Sequence, residues 1–405
     1  MNIIFLTLSR ISDVRSHGIY TDLMRKFRDE GHSVYIVTPH ERRFGKKTEL
    51  IESGGVKILG VKTLNIQKTN VVEKGIGTLL IESQYKSAIK KHLKGVKFDL
   101  VLYSTPPITF TKVIKFLKKG NSEITTYLLL KDIFPQNAVD IGIFSKKSLF
   151  YNFFRKKEIE LYKNSDYIGC MSPANVKYIL EHNDFIKPDR VEVAPNSIEL
   201  IADTRTNEEK IEERNYIRGK YNLPIDKPIF IYGGNLGKPQ GIPFLIDCFD
   251  SLKNREDVYF AIVGDGTEFV KIHNWIDQAK PQNITLFKRL SKDDYEKLVR
   301  NCDVGLIFLD HRFTIPNYPS RLLSYLAAKM PIIAATDPNT DIGSFAQENR
   351  FGYWCESNDV NAFVFCVNKM LTSDRDAMGE AGYKFLLGNY QINYTYNVIM
   401  KHMGA

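Results

Sequence analysis

The chain reads as an α/β protein built from two doubly wound, Rossmann-like domains in tandem. Three observations point there. At 405 residues it exceeds what one hydrophobic core of ordinary size organises. Both halves alternate short apolar strands with helically spaced segments, the pattern of parallel sheets with crossover helices. In the second half, the apolar run IFIY at 229–232 breaks directly into a glycine-rich turn, GGNLGKPQG, that opens a helix.

In order along the first half, residues 3–8, 33–38, 56–60, 99–103, 125–130, 167–171 and 191–194 are strand candidates. Residues 18–30 have helical spacing and stop at Gly31, a residue suited to a C-cap. In the second half, 229–232, 259–263, 285–287, 304–308 and 332–335 read as strands. The expected domains are 1–200 and 201–385, with the polar, charged segment 203–218 ahead of Leu223 and Pro224 as the joint. Residues 41–78 read as the longest irregular stretch, and irregular stretches of that length are usually functional or mobile. Residues 144–158, FSKKSLFYNFFRKKE, interleave Phe144, Leu149, Phe150, Phe153 and Phe154 with Lys146, Lys147, Arg155, Lys156 and Lys157. A helix of that composition suits an anionic lipid surface. It equally suits a core-facing helix with a solvated basic flank.

Apolar residues make up 43% and charged residues 25%, as in a folded globular protein. No apolar run reaches the roughly 20 residues that span a bilayer. Residues 1–10, MNIIFLTLSR, read as a first strand and not as a leader, so a cytoplasmic location is expected. Cys170, Cys248, Cys302, Cys355 and Cys366 are scattered and never spaced as CxxC, so they are expected as small buried apolar residues and not as a disulfide or zinc framework. The net charge of +9 is uneven: residues 1–200 carry 32 Lys and Arg against 21 Asp and Glu, and the remainder 24 against 26. The first half therefore faces something anionic, and with no nucleic-acid recognition motif beside the lysines, a membrane surface or phosphorylated small molecules are favoured.

The second half concentrates the chemistry. Gly233, Gly234 and Gly237 are expected to give the backbone positive φ and close approach to a ligand. Amides from Gly241 onward then offer a helix start to an anion, although a glycine cluster alone is equally an ordinary turn. The VGDG turn with Gly264 and Asp265, the segment after Phe287 with Lys288 and Leu290, and YPSRLLSYLAAKMPIIAA at 318–335 should meet this turn at the carboxyl ends of the strands. There Pro319 and Ser320 read as a helix start with Ser320 near the N-cap. The amides of Arg321, Leu322 and Leu323 and the Arg321 guanidinium are expected to meet an anion. In the first half, Asp132 follows a strand and is a candidate to orient or deprotonate a hydroxyl, with a cap or a Lys131 salt bridge as the structural alternative. Arg15, Ser16, His17 and Gly18 occupy the first strand-to-helix turn.

The ordered set GGNLGKPQG, VGDG, NITLFKRLS, CDVGLIFL, PSRLLSYLAAKMPIIA and FGYWCE resembles the donor half of glycosyltransferase family 4 enzymes, which have the GT-B fold. The likeness is strongest to the bacterial branch that builds surface polysaccharides. LTLSRISDVRSHGIYTDLMRKFRDEGHSVYIVTP, KDIFPQNAVDIG, SDYIGCMSPANVKYIL and VEVAPNSI are similar to its acceptor half. The resemblance implies two domains facing a central cleft, with the C-terminal helix, 386–405, packed back on the first. It implies retaining transfer of a hexosyl or N-acetylhexosaminyl group from a nucleotide diphosphate sugar, UDP-linked, to a polyprenyl-diphosphate-linked saccharide in capsule, O-antigen or exopolysaccharide assembly. It also implies a peripheral location at the inner face of the membrane, with no metal and no cofactor. Lys238, Arg321 and the two helix starts would meet the diphosphate charge as it leaves. Gly233, Gly234, Asn235, Gly237, Gln240, Gly264, Asp265, Lys288, Leu290, Ser320, Leu322, Leu323 and Ser324 would form the donor side. Asp132 would act from the acceptor side, together with Arg15, Ser16, His17 and Gly18. The lone DxD, Asp374 to Asp376, reads as a helix start.

Two departures stand out. Asn235 and Gln240 occupy positions where many members carry Arg and Lys. Pro316 and Ser324 occupy the two positions of a paired-glutamate motif, whose second member commonly holds ribose hydroxyls; serine offers one short hydrogen bond there. These departures keep two other readings in view: an enzyme like the UDP-sugar 2-epimerases, which share the fold, and an inactive subunit of a polysaccharide assembly complex.

Overall fold

The computed structural model describes residues 1–66, 69 and 71–404. Its chain divides into two compact units, Met1–Glu199 with the segment from Gln391 onward, and Leu200–Tyr390.

The first unit holds strands β1 (Asn2–Leu6), β2 (Ser33–Glu41), β3 (Glu49–Ser53), β4 (Val56–Thr63), β5 (Leu100–Ser104), β6 (Thr125–Leu130), β7 (Tyr167–Cys170) and β8 (Val191–Val193). They form one sheet in the order β3-β4-β2-β1-β5-β6-β7-β8, parallel except for the β3–β4 hairpin. The central strands are apolar on both faces because helices cover both: Ile3, Phe5, Leu100 and Leu102 are wholly buried. The terminal helix Ile392–Met400 belongs to this core, where Ile399 packs with Phe27 and Thr395 donates to the Pro195 carbonyl at 3.0 Å.

The second unit holds β9 (Ile229–Asn235), β10 (Tyr259–Asp265), β11 (Ile284–Phe287), β12 (Val304–Phe308), β13 (Ile332–Thr336) and β14 (Gly352–Glu356), all parallel in the order β11-β10-β9-β12-β13-β14. The order reverses between β9 and β12, and at such a switch point a doubly wound sheet opens a crevice at its carboxyl edge. The aromatic core beneath it joins Phe230, Phe249, Phe260, Phe308 and Phe363.

Several sequence expectations change. The stretch 41–78 is not one loop: it contains the β3–β4 hairpin and the start of the helix Val71–His92, while residues 67, 68 and 70 lie outside the described residues. The alternation in KILGV (57–61) serves an edge-side strand, and its Gly60 leaves room for the His40 ring, which would sit 2.1 Å from an added Cβ. Strands β3 and β14 were absent from the expected set. Residues 203–218 include most of a capped helix, Asn207–Lys220, in which Thr206 and Glu209 form a capping box. The basic aromatic helix begins only at Leu149, capped by Ser148, and runs to Lys163. All five cysteines are buried and free. Asp374 caps its helix by accepting from the Ala377 amide at 3.0 Å, which accounts for the DxD spacing.

Candidate active site

At the β9 end, three carboxyl-edge turns are laced together by backbone contacts. The Leu236 amide donates to the Asp265 carbonyl at 3.0 Å, and the Glu268 amide to the Leu236 carbonyl at 2.9 Å. Gly264 and Gly266 make this approach possible: an added Cβ would sit 2.1 Å from the Gly234 oxygen and 2.3 Å from the Leu236 oxygen. On the other side, the Asp310 amide donates to the Pro239 carbonyl at 3.0 Å. Gly241, at φ +58, starts the helix Ile242–Leu252 within 3.2 Å of Asp310 Cα, measured from its missing Cβ.

Only two of these turn glycines have positive φ, Gly234 and Gly241. Gly233 and Gly237 do not, contrary to the sequence expectation. Gly233 is a strand residue that admits the Tyr295 ring, whose hydroxyl would lie 2.0 Å from an added Cβ, and Gly237 is extended. Asn235 and Gln240 act within the turn: Gln240 Oε1 accepts from the Asn235 side chain and from the Gly237 amide, both at 3.2 Å. Lys238 is exposed on this turn, and Asp265 ends β10 opposite Asn235 in the ladder. Lys288 and Leu290 follow β11 at the same edge, Lys288 exposed and Leu290 half-buried.

Two helix-start expectations are corrected. The amides of Leu322 and Leu323 are not free for a ligand, because they donate to Pro319 O at 3.3 Å and Ser320 O at 3.1 Å, closing a tight turn. Ser320 is the N-cap residue by position but makes no side-chain cap bond. Likewise Gly241 N donates to Lys238 O, and Pro243 has no amide hydrogen, so the second helix start presents fewer donors than its spacing suggested.

What the site has instead is Arg321. Its guanidinium stacks on the Tyr232 ring, 4.4 Å from the centroid, and an added Cβ on Gly234 would lie 3.1 Å from its Nη2. Nη1 is buried without a hydrogen-bond partner, as is the Tyr295 hydroxyl beside Gly233. The neighbouring Tyr325 hydroxyl is committed, accepting from the Gly233 amide at 3.2 Å and contacting the Ile231 and Leu306 carbonyls. A charged guanidinium held in a tyrosine collar with an unpaired donor leaves desolvation uncompensated, at a cost of about 1–3 kcal/mol or more. An oxyanion at the glycine turn would relieve it. Ser324 lies one turn further along the same helix and is half-buried. Tyr232, Tyr295 and Tyr325 carried no local sequence signal; they converge only through the sheet.

In the first unit, Asp132 stands just after β6. The Thr105 hydroxyl pins its turn, accepting from the Lys131 amide at 3.0 Å and the Asp132 amide at 3.2 Å. Neither structural alternative for Asp132 holds: Lys131 reaches the Ala194 carbonyl at 3.0 Å, and the helix Gln136–Asp140 is preceded by Pro135. The carboxylate instead accepts from Asn137 Nδ2 at 2.6 Å. Burial pushes the Asp132 carboxyl up to about 6, and burial brings the Lys131 amine down to about 7.

The turn at Arg15, Ser16, His17 and Gly18 is different in kind. Exposed Arg15 forms a fork with half-buried Asp13 and Ser16 is exposed, so neither is held toward a ligand. The Gly18 amide donates to Asp22 Oδ1 at 2.8 Å, so the helix Ile19–Asp29 carries its own carboxylate at its start. His17, Asp22 and Glu199 come close enough to suggest a metal site, but Arg25 already sits on both acids at 2.7 Å and approaches His17 Nδ1 at 3.2 Å. The cluster's negative charge is thereby met by a resident cation.

Two doubly wound parallel-sheet units, the second with a glycine turn at its switch point, are the architecture of the GT-B fold. Residues 213–385 match the family model Glycosyl transferases group 1, so the second unit carries a domain of that family. Over 328 residues, 80% of this chain and 78% of the relative, the sequence is 24% identical to the probable glycosyltransferase WbjE of Pseudomonas aeruginosa. Over 131 residues, 32% of each chain, it is 28% identical to the putative colanic acid biosynthesis glycosyl transferase WcaI of Escherichia coli K12. Among solved structures, WaaG, a glycosyltransferase involved in lipopolysaccharide biosynthesis, superposes over 100% of both chains with a TM-score of 0.66 at 14% identity. Anabaena Alr3699/HepE in complex with UDP and glucose covers 100% of this chain and 99% of its own, with a TM-score of 0.68 at 12% identity.

Proposed function

We propose that the chain transfers a sugar, with retention, from a nucleotide diphosphate sugar to a lipid-linked saccharide in bacterial surface-polysaccharide assembly. The observation that carries this is Arg321: a buried, unpaired guanidinium donor against the one turn glycine of β9 with positive φ is a place made for a diphosphate. UDP is the donor nucleotide we assign, in line with the solved relative bound to UDP and glucose. As the glycosidic C–O bond to phosphate breaks, the electron pair goes to the leaving diphosphate. Arg321 and Lys238 meet that charge without a metal. Asp132, ionised above about pH 6, accepts the proton of the acceptor hydroxyl as its oxygen bonds to the anomeric carbon on the face the diphosphate leaves, which keeps the configuration.

A lipid-linked acceptor agrees with the helix Leu149–Lys163. Leu149 is 86% exposed, Phe150 69% and Phe153 42%, while Ile143 just ahead of the helix is 59% exposed. Lys146, Lys147 and Lys156 surround them in solvent, whereas Phe154 turns inward onto Phe134 at 5.0 Å. Apolar rings ringed by lysines match an anionic bilayer surface, each buried side chain contributing about 1.5–3 kcal/mol and each lysine about 1 kcal/mol. Among the described residues, no helix is long and apolar enough to cross a membrane.

Calorimetric titration with UDP tests the donor assignment: the native protein binds one equivalent, and Arg321→Ala binds about 100-fold more weakly, since it loses a charge-assisted contact of about 2–3 kcal/mol. Equal affinity of the two proteins would overturn the assignment. For the membrane, the triple variant Leu149→Glu, Phe150→Glu and Phe153→Glu is expected to co-sediment with phosphatidylglycerol vesicles at least tenfold less than the native chain. Unchanged co-sedimentation would remove the helix from the account.

A further inference from the structure

We propose that Asn137 is a positioning residue for proton transfer: its side-chain amide fixes the orientation of the Asp132 carboxylate and sets how readily that carboxylate takes a proton. This inference rests on the reading of Asp132 as the acceptor-side base and deepens it. The geometry is direct. Asn137 Nδ2 donates to Asp132 Oδ1 at 2.6 Å, a short contact for a nitrogen donor and a carboxylate. Its other end, Oδ1, is buried with no hydrogen-bond partner. The reversed amide would set a carbonyl oxygen against the carboxylate, so the carboxylate dictates the orientation and leaves Oδ1 as an unpaired acceptor next to the base. The backbone is fixed as well, since the Asn137 amide donates to the Ile133 carbonyl at 3.1 Å. Asn137 and Asp132 are thus clamped five residues apart across a single turn, with Asp132 held from its backbone side by Thr105.

Other charged groups surround the pair. Lys131 points to the Ala194 carbonyl. From the helix Leu149–Lys163, buried Glu158 faces Asp132 but is held by Arg155 at 2.5 Å and by the Tyr162 hydroxyl at 2.8 Å. Asp140 at the far end of the short helix accepts from Gln136 at 2.7 Å. Asn137 and the Ile133 amide are therefore the hydrogen-bond donors that act on the Asp132 side chain, Asn137 the stronger, and both favour the ionised form against the burial that opposes it.

The test is a carboxyl-carbon NMR titration of protein labelled at aspartate side chains, with the Asp132 signal assigned by its loss in Asp132→Asn. The native signal is expected to titrate near 6. In Asn137→Leu the midpoint should rise by about half a pH unit or more, a roughly threefold gain in proton affinity, and in the near-isosteric Asn137→Asp it should rise further because two carboxylates then share the turn. A role confined to folding would leave these midpoints equal while lowering the melting temperature. Equal midpoints in Asn137→Asp, a variant that preserves shape even if the leucine variant misfolds, would overturn the proposal. A separate outcome belongs to the underlying reading: undiminished turnover by Asp132→Asn would discard Asp132 as the base while leaving the Asn137 coupling measurable.

Discussion

Each unit contains a strand, a turn and a helix in succession, β1 to Ile19–Asp29 in the first and β9 to Ile242–Leu252 in the second, and they treat the helix start in opposite ways. In the first, Asp22 caps the Gly18 amide and is paired in turn with Arg25, which also holds Glu199, so the positive end of the helix already has its anion and that anion its cation. In the second, the helix after Gly241 has no acidic residue in its first turn, and the nearby cation, Arg321, has an unpaired donor. The same supersecondary unit is closed by resident charges in the first unit, whereas in the second it has no first-turn carboxylate and stands beside an unpaired guanidinium donor. A helix dipole alone does not distinguish the two; the presence of a resident carboxylate does.

The largest effect is expected from opening the closed end. Asp22→Asn removes one partner of a buried ion pair and should cost about 3 kcal/mol in denaturant unfolding while leaving UDP affinity unchanged. Lost UDP binding in a folded Asp22→Asn protein would mean the first helix start is a ligand site after all. Asp132 of the same unit makes the opposite case, because its carboxylate is half-buried with no cation paired to it among the described residues. Its proton affinity is raised in the folded state, so its contribution to stability is full below about pH 4 and is lost as pH rises toward about 6. Asp132→Asn should therefore be the more stable protein at pH 8, by about 2–3 kcal/mol, with the advantage vanishing near pH 4. Thermal unfolding across that range checks it, and an Asn variant less stable at pH 8 would contradict the unpaired burial. The smallest effect belongs to Lys238, an exposed cation at the open turn: Lys238→Ala should weaken UDP only a few-fold, and less at high salt.

Much of the frame was legible in the chain because covered parallel strands announce themselves as apolar runs, and β6 and β12 fall where the pattern put them. Strand β3 escaped because ELIES is an edge hairpin arm with little burial, and β14 because its GYWCE lacks an apolar run. At the site, the glycine turn was visible from residue types, but the reason for each glycine was not: Gly233 answers to Tyr295, sixty-two residues away in sequence. The same holds for the bonds that close the Leu322 and Leu323 amides, since a proline-serine start reads identically whether its turn is tight or open. Asp22 could have been noticed as an acid in a first helical turn. The Asp132–Asn137 contact, by contrast, depends on side-chain directions that spacing does not encode.

Donor binding turns on Arg321, proposed to grip the diphosphate at Gly234. A crystal structure of the protein with UDP measures this directly. A phosphate oxygen is expected within hydrogen-bond distance of Arg321 Nη1, with Tyr232 still stacked beneath the guanidinium. A bound UDP whose phosphates lie elsewhere, with Nη1 still unpaired, would contradict it.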